Sequence, residues 1–292
     1  MPSAAACPKP ASDPDAPPKP AAFPPAATLR RFAALVSAGF RRHSTYRQAM
    51  IAGIFTNVIF GAMLAAVLSA VAEGGGRPGG YTGAQLVTYV WVGQGLLNVS
   101  YLWNWKELAD RVATGDVAAD LLRPVDPLTS YAAAEFGRAA NAMLGRFIVP
   151  VCVGLVFYTM YIPHRLATYP LFAVSVVLAT LVSFAGRYLV NLTAFWLLDV
   201  RGPLMLWMLF VAPLSGAHFP LRFLPEWAQW LIWLGTPFPS VFQIPLDIAV
   251  ERTSAGVAAA TVLLQLCWAT ALLLLCVAVQ RRALRRLVVQ GG

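Results

Sequence analysis

Apolar residues along this chain gather in long runs. They neither recur at the spacing of an amphipathic soluble helix nor alternate as in a half-buried strand. Six runs stand out: Ala49–Val71, Leu86–Trp103, Asn141–Tyr161, Tyr169–Ala194, Pro203–Gly216 and Ala255–Val279. A helix rises roughly 1.5 Å per residue, so about 20 apolar residues cross the ~30 Å hydrocarbon core of a bilayer. The pattern therefore predicts an all-α membrane protein with six transmembrane helices, the fifth of them short.

The polar stretches between the runs carry as much information. Ahead of the first run, Leu29 to Tyr46 places Phe32, Leu35, Val36 and Phe40 on one helical face and Arg30, Arg31, Arg41 and Arg42 elsewhere. That pattern predicts an N-terminal helix lying in the membrane interface, its arginines at headgroup level. After the second run comes an acidic segment. Six of the chain's thirteen acidic residues fall there: Glu107, Asp110, Asp116, Asp120, Asp126 and Glu135. The segment reads as two short helices. Lys106–Thr114 is stopped by Gly115, while Val117–Leu122 is capped by Asp116 and ended by Pro124. Leu108 and Val112 share one face, and Leu121 and Leu122 give the second helix an apolar end. A solvated connection is the plainer reading, but a bare connection does not require two capped helices. The segment is expected to dock a soluble partner.

Beyond the fifth run, the chain from Ala212 to Pro239 is apolar and rich in Trp yet broken by Pro213, Pro220, Pro225, Pro237 and Pro239, with Ser215 and Gly216 at its start. It predicts a re-entrant outer hairpin, because broken backbone at membrane depth is tolerated only where protein or water covers it. Trp227, Trp230 and Trp233 suit the outer interface, where amphipathic rings settle. The glycine-rich stretch from Glu73 to Gly80 is expected to be a flexible connection.

Composition agrees with a membrane chain and adds its orientation. Hydrophobic residues make up 58% and charged residues 12%, where soluble domains carry about 25% charge. With the N-terminus inside, the inner segments hold Lys9, Lys19, Arg30, Arg31, Arg41, Arg42, Arg47, Lys106, Arg111, Arg123, Arg138, Arg201, Arg281, Arg282, Arg285 and Arg286. The outer ones hold Arg77, Arg165, Arg222 and Arg252. Both termini are thus expected in the cytoplasm, with the chain multi-pass in the cytoplasmic membrane. The net charge of +9 then marks orientation and attraction to anionic membrane lipid rather than nucleic-acid binding. Residues 1–28 are Ala- and Pro-rich and predict a disordered cytoplasmic tail, leaving 29–292 as one membrane domain. No secretory leader is expected, since the first apolar run begins near residue 49 and is too long for one.

Candidate chemistry is sparse. Gln94 and Asn98 lie one turn apart on the second run, and Arg187 and Asn191 repeat that spacing on the fourth. Interhelical hydrogen bonds of about 0.6 kcal/mol each explain such residues, but polar groups inside spans also mark substrate paths or a dimer seam. Arg187 has Asp199 or the inner headgroups as its expected partners. A carrier or channel would want buried carboxylates, and the six runs contain none. Ser215 and His218 lack the Gly-x-Ser-x-Gly turn of a hydrolase, so no catalytic residue is expected. His43 and His164 stand alone, and Cys152, Cys267 and Cys276 read as small hydrophobes, so no metal site is expected either. A Gly-Lys-Ser or Gly-Lys-Thr phosphate loop is absent from the sequence. If ATP drives this protein, another chain must bind it.

Taken together, these motifs resemble a family. Gly115-Asp-Val-Ala-Ala-Asp-Leu-Leu-Arg-Pro-Val after the second run is similar to the permease subunits of type-2 ABC exporters, in the bacterial branch without a fused ATPase. Leu214-Ser-Gly-Ala-His-Phe-Pro-Leu, Leu224-Pro-Glu-Trp, Thr236-Pro-Phe and the Arg-Arg…Val-Val-Gln-Gly-Gly ending fit the same branch, over roughly residues 29 to 292. The resemblance implies a six-helix half-transporter that pairs with a second permease and rests on an ABC ATPase. ATP and Mg would sit on that partner, with no cofactor on this chain. It also implies a coupling helix between spans two and three. Glu107, Asp110, Arg111, Gly115 and Asp116 would lie at or beside the ATPase contact, with Leu121, Leu122, Arg123 and Pro124 fixing how it joins the third span.

Overall fold

A computed structural model of the chain describes residues 25–44, 47–74, 77–100, 105–123, 125–197 and 199–286. Twelve α-helices are formed among the described residues, and no strand. In chain order they are α1 (Pro25–Ser44), α2 (Arg47–Glu73), α3 (Gly83–Val99), α4 (Glu107–Thr114), α5 (Val117–Leu121), α6 (Pro127–Ala142), α7 (Ile148–Phe157), α8 (Thr168–Leu192), α9 (Arg201–Leu214), α10 (Glu226–Gly235), α11 (Gln243–Ala249) and α12 (Ala255–Leu284). Helix α1 starts inside the stretch assigned to the tail, whose residues 1–24 lie outside the described ones.

Four of the helical rods are long and apolar enough to cross a membrane: Met50–Glu73, Pro127–Phe157, Thr168–Phe195 and Ala255–Leu284. The second joins α6 to α7 through a π-helical turn, Met143–Phe147, so the third apolar run belongs to a helix that begins well before Asn141. The remaining two runs give shorter helices. With 17 residues α3 rises roughly 26 Å, and with 14 residues α9 rises roughly 21 Å, both below the ~30 Å of the hydrocarbon core. Residues 101–104, at the end of the second run, lie outside the described residues.

Burial explains why six runs look alike in sequence and differ in structure. Nearly every residue of α3 from Leu86 to Val99 is buried against α2, α7, α11 and the π turn. A helix enclosed by protein is apolar all round, as is one enclosed by lipid. The most apolar stretch of α8 is 56% buried within the chain, against 17% for the other three long rods, which makes α8 the central one.

The apolar face of α1 packs along α6. A Cβ on Gly137 would lie 2.2 Å from the Val36 carbonyl oxygen, and one on Gly39 would lie 2.6 Å from that of Ala134. Two small residues thus let the backbones touch, and Phe32 meets Phe136 edge-on at 6.4 Å. Arg30, Arg41 and Arg42 stay exposed on the other side.

Both α3 and α8 run from the α11 side of the bundle to the α4 side. The acidic segment and the proline-rich segment therefore occupy opposite ends. At the proline-rich end, the last part of the glycine stretch is held: Gly79 carbonyl oxygen accepts from Arg252 Nη2 at 2.7 Å and from Nε at 3.0 Å, while residues 75–76 lie outside the described ones.

Candidate functional site

At the acidic end, α4 and α5 form a small platform. Gly115, at φ +82°, takes the left-handed conformation that stops α4 where the sequence predicts. Asp116 does not cap α5: its backbone is helical (φ −62°, ψ −16°), and its carboxylate accepts from Thr114 Oγ1 at 2.9 Å. A side chain already in a helical geometry points away from the N–H groups it would cap. Helix α5 ends at Leu121, one residue short of the expected boundary, and Pro124 lies outside the described residues.

Of the expected contact residues, Asp110 pairs with Lys106 at 3.4 Å and Asp116 with Thr114, while Glu107 and Arg111 tie neighbouring helices together. Glu107 Oε1 accepts from Arg42 Nη1 at 2.9 Å, tying α4 to α1. Arg111 grips Asp120 with Nε at 2.5 Å and Nη2 at 2.9 Å, bracing α4 against α5. The outward surface is left to Asp110, Asp116, Leu121, Leu122 and Arg123, and Leu122 is 88% exposed. Beneath, Leu108 and Val117 are buried with Leu128, Phe184, Tyr188 and Leu192.

Asn191 fastens this platform. Its Nδ2 donates to the carbonyls of Trp105 (2.7 Å) and Arg187 (2.9 Å), and its Oδ1 accepts from Ala109 N–H (3.2 Å). Asn191 thus joins α8 to α4. Arg187 departs from expectation. It is fully buried and Nη2 donates to Glu135 Oε1 at 2.5 Å, while Asp199 faces Arg201. Glu135 receives Arg138 as well, at 2.8 and 2.9 Å, and Arg138 reaches the last carbonyls of α3, Asn98 at 2.5 Å and Val99 at 2.7 Å. A cation at a helix C-terminus is favoured by the helix dipole. One carboxylate therefore links α6 to α8, and its arginine links α6 to α3.

Sequence reasoning missed this hub. Glu135 and Arg138 are three apart on one helical face, and Arg187 required a carboxylate; that combination was the available signal. Glu135 lies in the long rod Pro127–Phe157 but ahead of the third apolar run, which itself holds no carboxylate.

Gln94 and Asn98 diverge. Asn98 Oδ1 accepts from Arg146 Nη1 at 2.7 Å, across to the π turn. Gln94 is buried, its carbonyl oxygen accepts from Asn57 Nδ2 at 3.1 Å, and its Oε1 has no hydrogen-bond partner among the described residues. It borders a groove of about 630 Å³ between α2, α3 and α9, with Thr56, Asn57 and His218 as the other polar walls and Phe60, Met63, Leu97 and Val211 among the apolar ones.

The proline-rich end is knotted by polar groups. Pro213 lies inside α9, and Ser215 caps its end and is buried. Gly216, at φ +86°, brings its carbonyl to the Tyr89 hydroxyl at 2.7 Å. Pro220 precedes a single 3-10 turn, Pro225 precedes α10 and Pro237 precedes a second 3-10 turn. Gln243 gathers the ends: Oε1 accepts from Leu221 N–H at 2.7 Å, and Nε2 donates to Asp247 Oδ1 at 2.8 Å. The Tyr81 hydroxyl also donates to Asp247, and Arg222 Nε lies 3.6 Å from its other oxygen. Trp227 and Trp230 are exposed as expected, but Trp233 is buried beneath the Arg222 guanidinium, 4.5 Å from its ring centre.

The helical rods, four of them long and apolar enough to cross a membrane, and the buried pairs joining them describe a multi-pass membrane protein. Comparison with family models supplies the rest: the model described as ABC-2 family transporter protein matches residues 57–291. The chain belongs to that family. Its members are membrane subunits of ABC transporters and generally pair with an ABC ATPase. None of the curated proteins compared with the chain matches it.

Proposed function

We propose that the chain is the permease subunit of an ATP-driven ABC exporter in the cytoplasmic membrane. In this reading α4 and α5 are the coupling segment, and Asp110, Asp116, Leu121, Leu122 and Arg123 face a separate ATPase. The observation that carries it is Leu122, a large apolar side chain 88% exposed at the tip of a platform whose other side is locked to α8 by Asn191. A force on the platform passes through Asn191 to α8, and through Arg42 to α1.

Six crossings result if α3 and α9 span together with their flanking segments, with the proline-rich hairpin re-entrant from the outside and both termini in the cytoplasm. The groove beside Gln94 is then the substrate path or the seam with a second permease. Its apolar walls suit an amphipathic or lipid-like substrate. ATP closure of the ATPase pair would tilt the rods between two states of different affinity for that substrate.

An autonomous carrier or channel draws some support from the buried carboxylates Glu135, Asp247 and Glu251. Each of them already faces an arginine, however, so they act as fasteners rather than open ion sites. The test is purification from native membranes with a probe for a co-purifying ATP-binding chain. Asp110→Lys with Asp116→Lys is expected to abolish that association and transport together. Association and transport both unchanged would refute the docking surface.

A further inference from the structure

In the groove of about 630 Å³ between α2, α3 and α9, Gln94 is only 5% exposed, and its Oε1 is a buried acceptor without a donor among the described residues. An amide oxygen taken out of water unpaired is costly, unless an occupant of the groove supplies the missing hydrogen. The stem of Gln94 is hemmed in, since a Cβ on Gly61 of α2 would lie 3.1 Å from Gln94 Cγ. Its terminal amide torsion stays soft, so the oxygen can turn along the wall. Two neighbours extend the polar strip. Thr56 Oγ1 has given its hydrogen to the Ala52 carbonyl at 3.0 Å and is left with lone pairs alone. Asn57 Nδ2 donates to the Gln94 backbone carbonyl at 3.1 Å, which leaves Asn57 its Oδ1 and one amide hydrogen. Among the described residues no Lys, Arg, Asp or Glu lines the groove, and His218 is its one titratable side chain. A charged head would therefore enter without a fixed counter-charge.

We propose that this groove takes a neutral amphipath whose head carries two or more hydroxyls, and that Gln94 is the residue that reads the head. A hydroxyl donates and accepts at once, so it satisfies Gln94 Oε1 and a neighbouring amide N–H together. An ammonium only donates, and a phosphate dianion only accepts. Gln94 and Asn57 are already joined by a hydrogen bond, so hydroxyls on adjacent carbons, as in a glycerol or sugar head, suit the pair. Phe60, Met63, Leu97 and Val211 offer apolar cover to the tail. The inference rests on the reading of this groove as a substrate path, and it narrows the substrate from any amphipath to a neutral, hydroxylated one.

Binding can be measured on the purified full chain in phosphatidylcholine nanodiscs, with radiolabelled octylglycerol as the probe and empty nanodiscs subtracted. Three competitors share its octyl chain: its dimethyl ether, octylamine and octyl sulfate. Octylglycerol should bind saturably. The dimethyl ether keeps the oxygens and loses the hydrogens, so it should compete about tenfold more weakly, the worth of a buried hydrogen bond. Both charged compounds should also compete more weakly than octylglycerol. Gln94→Leu should weaken octylglycerol about tenfold and shrink its advantage over the ether. The same variant should leave the thermal midpoint unchanged or raised, because the fold gives Oε1 no partner. Thr56→Val, which keeps the shape, should weaken binding about threefold. An ether or a charged competitor as tight as octylglycerol would overturn the substrate class. Unchanged binding in either variant, or a lowered midpoint in Gln94→Leu, would overturn the assignment to these residues. No saturable binding would overturn the site and leave the groove to a second permease. No ATPase takes part, so failure here leaves the permease reading standing. A chain that binds octylglycerol but never co-purifies with an ATPase would keep the site and lose the exporter.

Discussion

Glu251 holds a left-handed backbone, φ +48°, that non-glycine residues rarely adopt, and its carboxylate explains why. It accepts from the Thr168 hydroxyl (2.6 Å), the Arg165 N–H (2.7 Å) and the Tyr161 hydroxyl (2.8 Å), pinning the start of α8 to the turn before α12. Burial pushes its pKa up, but these donors outweigh burial and hold it at about 2, below an ordinary 4.5. A depressed carboxylate pKa contributes stability that is present above pH 4.5 and is lost as pH falls toward 2. The thermal midpoint of the purified chain should fall across that window. Glu251→Gln should lower the midpoint at neutral pH, by about 1–3 kcal/mol of stability, and flatten the acid decline; an unchanged acid decline would show that other groups cause it. None of this was visible in sequence, because Glu251 meets Tyr161 and Thr168 only through the fold. Gln94 and Asn98 share a helical face by spacing alone, so their burial was legible, but their different partners were not.

Among the elements, those set by local chemistry were legible and those set by packing were not. Gly115 ends α4 because glycine takes positive φ at little cost, a property of one residue. Asp116 had the right identity for a cap and the wrong backbone, since the tight turn after Gly115 keeps it helical. The second run predicts a transmembrane helix with no preference between lipid and protein around it, and in α3 protein covers nearly every residue from Leu86 to Val99. Helix α1 was read correctly as amphipathic, though its apolar face lies on α6 through Gly39 and Gly137. That crossing yields a clear expectation. Gly137→Leu should cost about 1–3 kcal/mol or more by overpacking, seen as a lower thermal midpoint and faster proteolysis between α1 and α2. A variant as stable as the parent would mean that α1 does not press on α6.

For the whole molecule, the pattern of long apolar runs established a helical membrane protein, and the family comparison agrees over residues 57–291. What the runs did not contain is the framework of buried ions that crosses between them: Glu135 with Arg138 and Arg187 at one end, and Asp247 with Tyr81, Gln243 and Arg222 at the other. Each group looks like an isolated polar residue until the helices assemble. The framework clamps α3, α6 and α8 at the acidic end, so motion of the platform would be transmitted to the rods as a unit rather than absorbed locally. The central claim, that α4 and α5 hold a separate ATPase, is tested most directly by placing a photo-crosslinking amino acid at position 122 in native membranes. A control at position 231, exposed on α10 at the opposite end, completes the experiment. The account predicts a crosslink from position 122 to an ATP-binding chain and none from position 231. An ATP-binding chain that co-purifies yet never crosslinks from position 122 would contradict it.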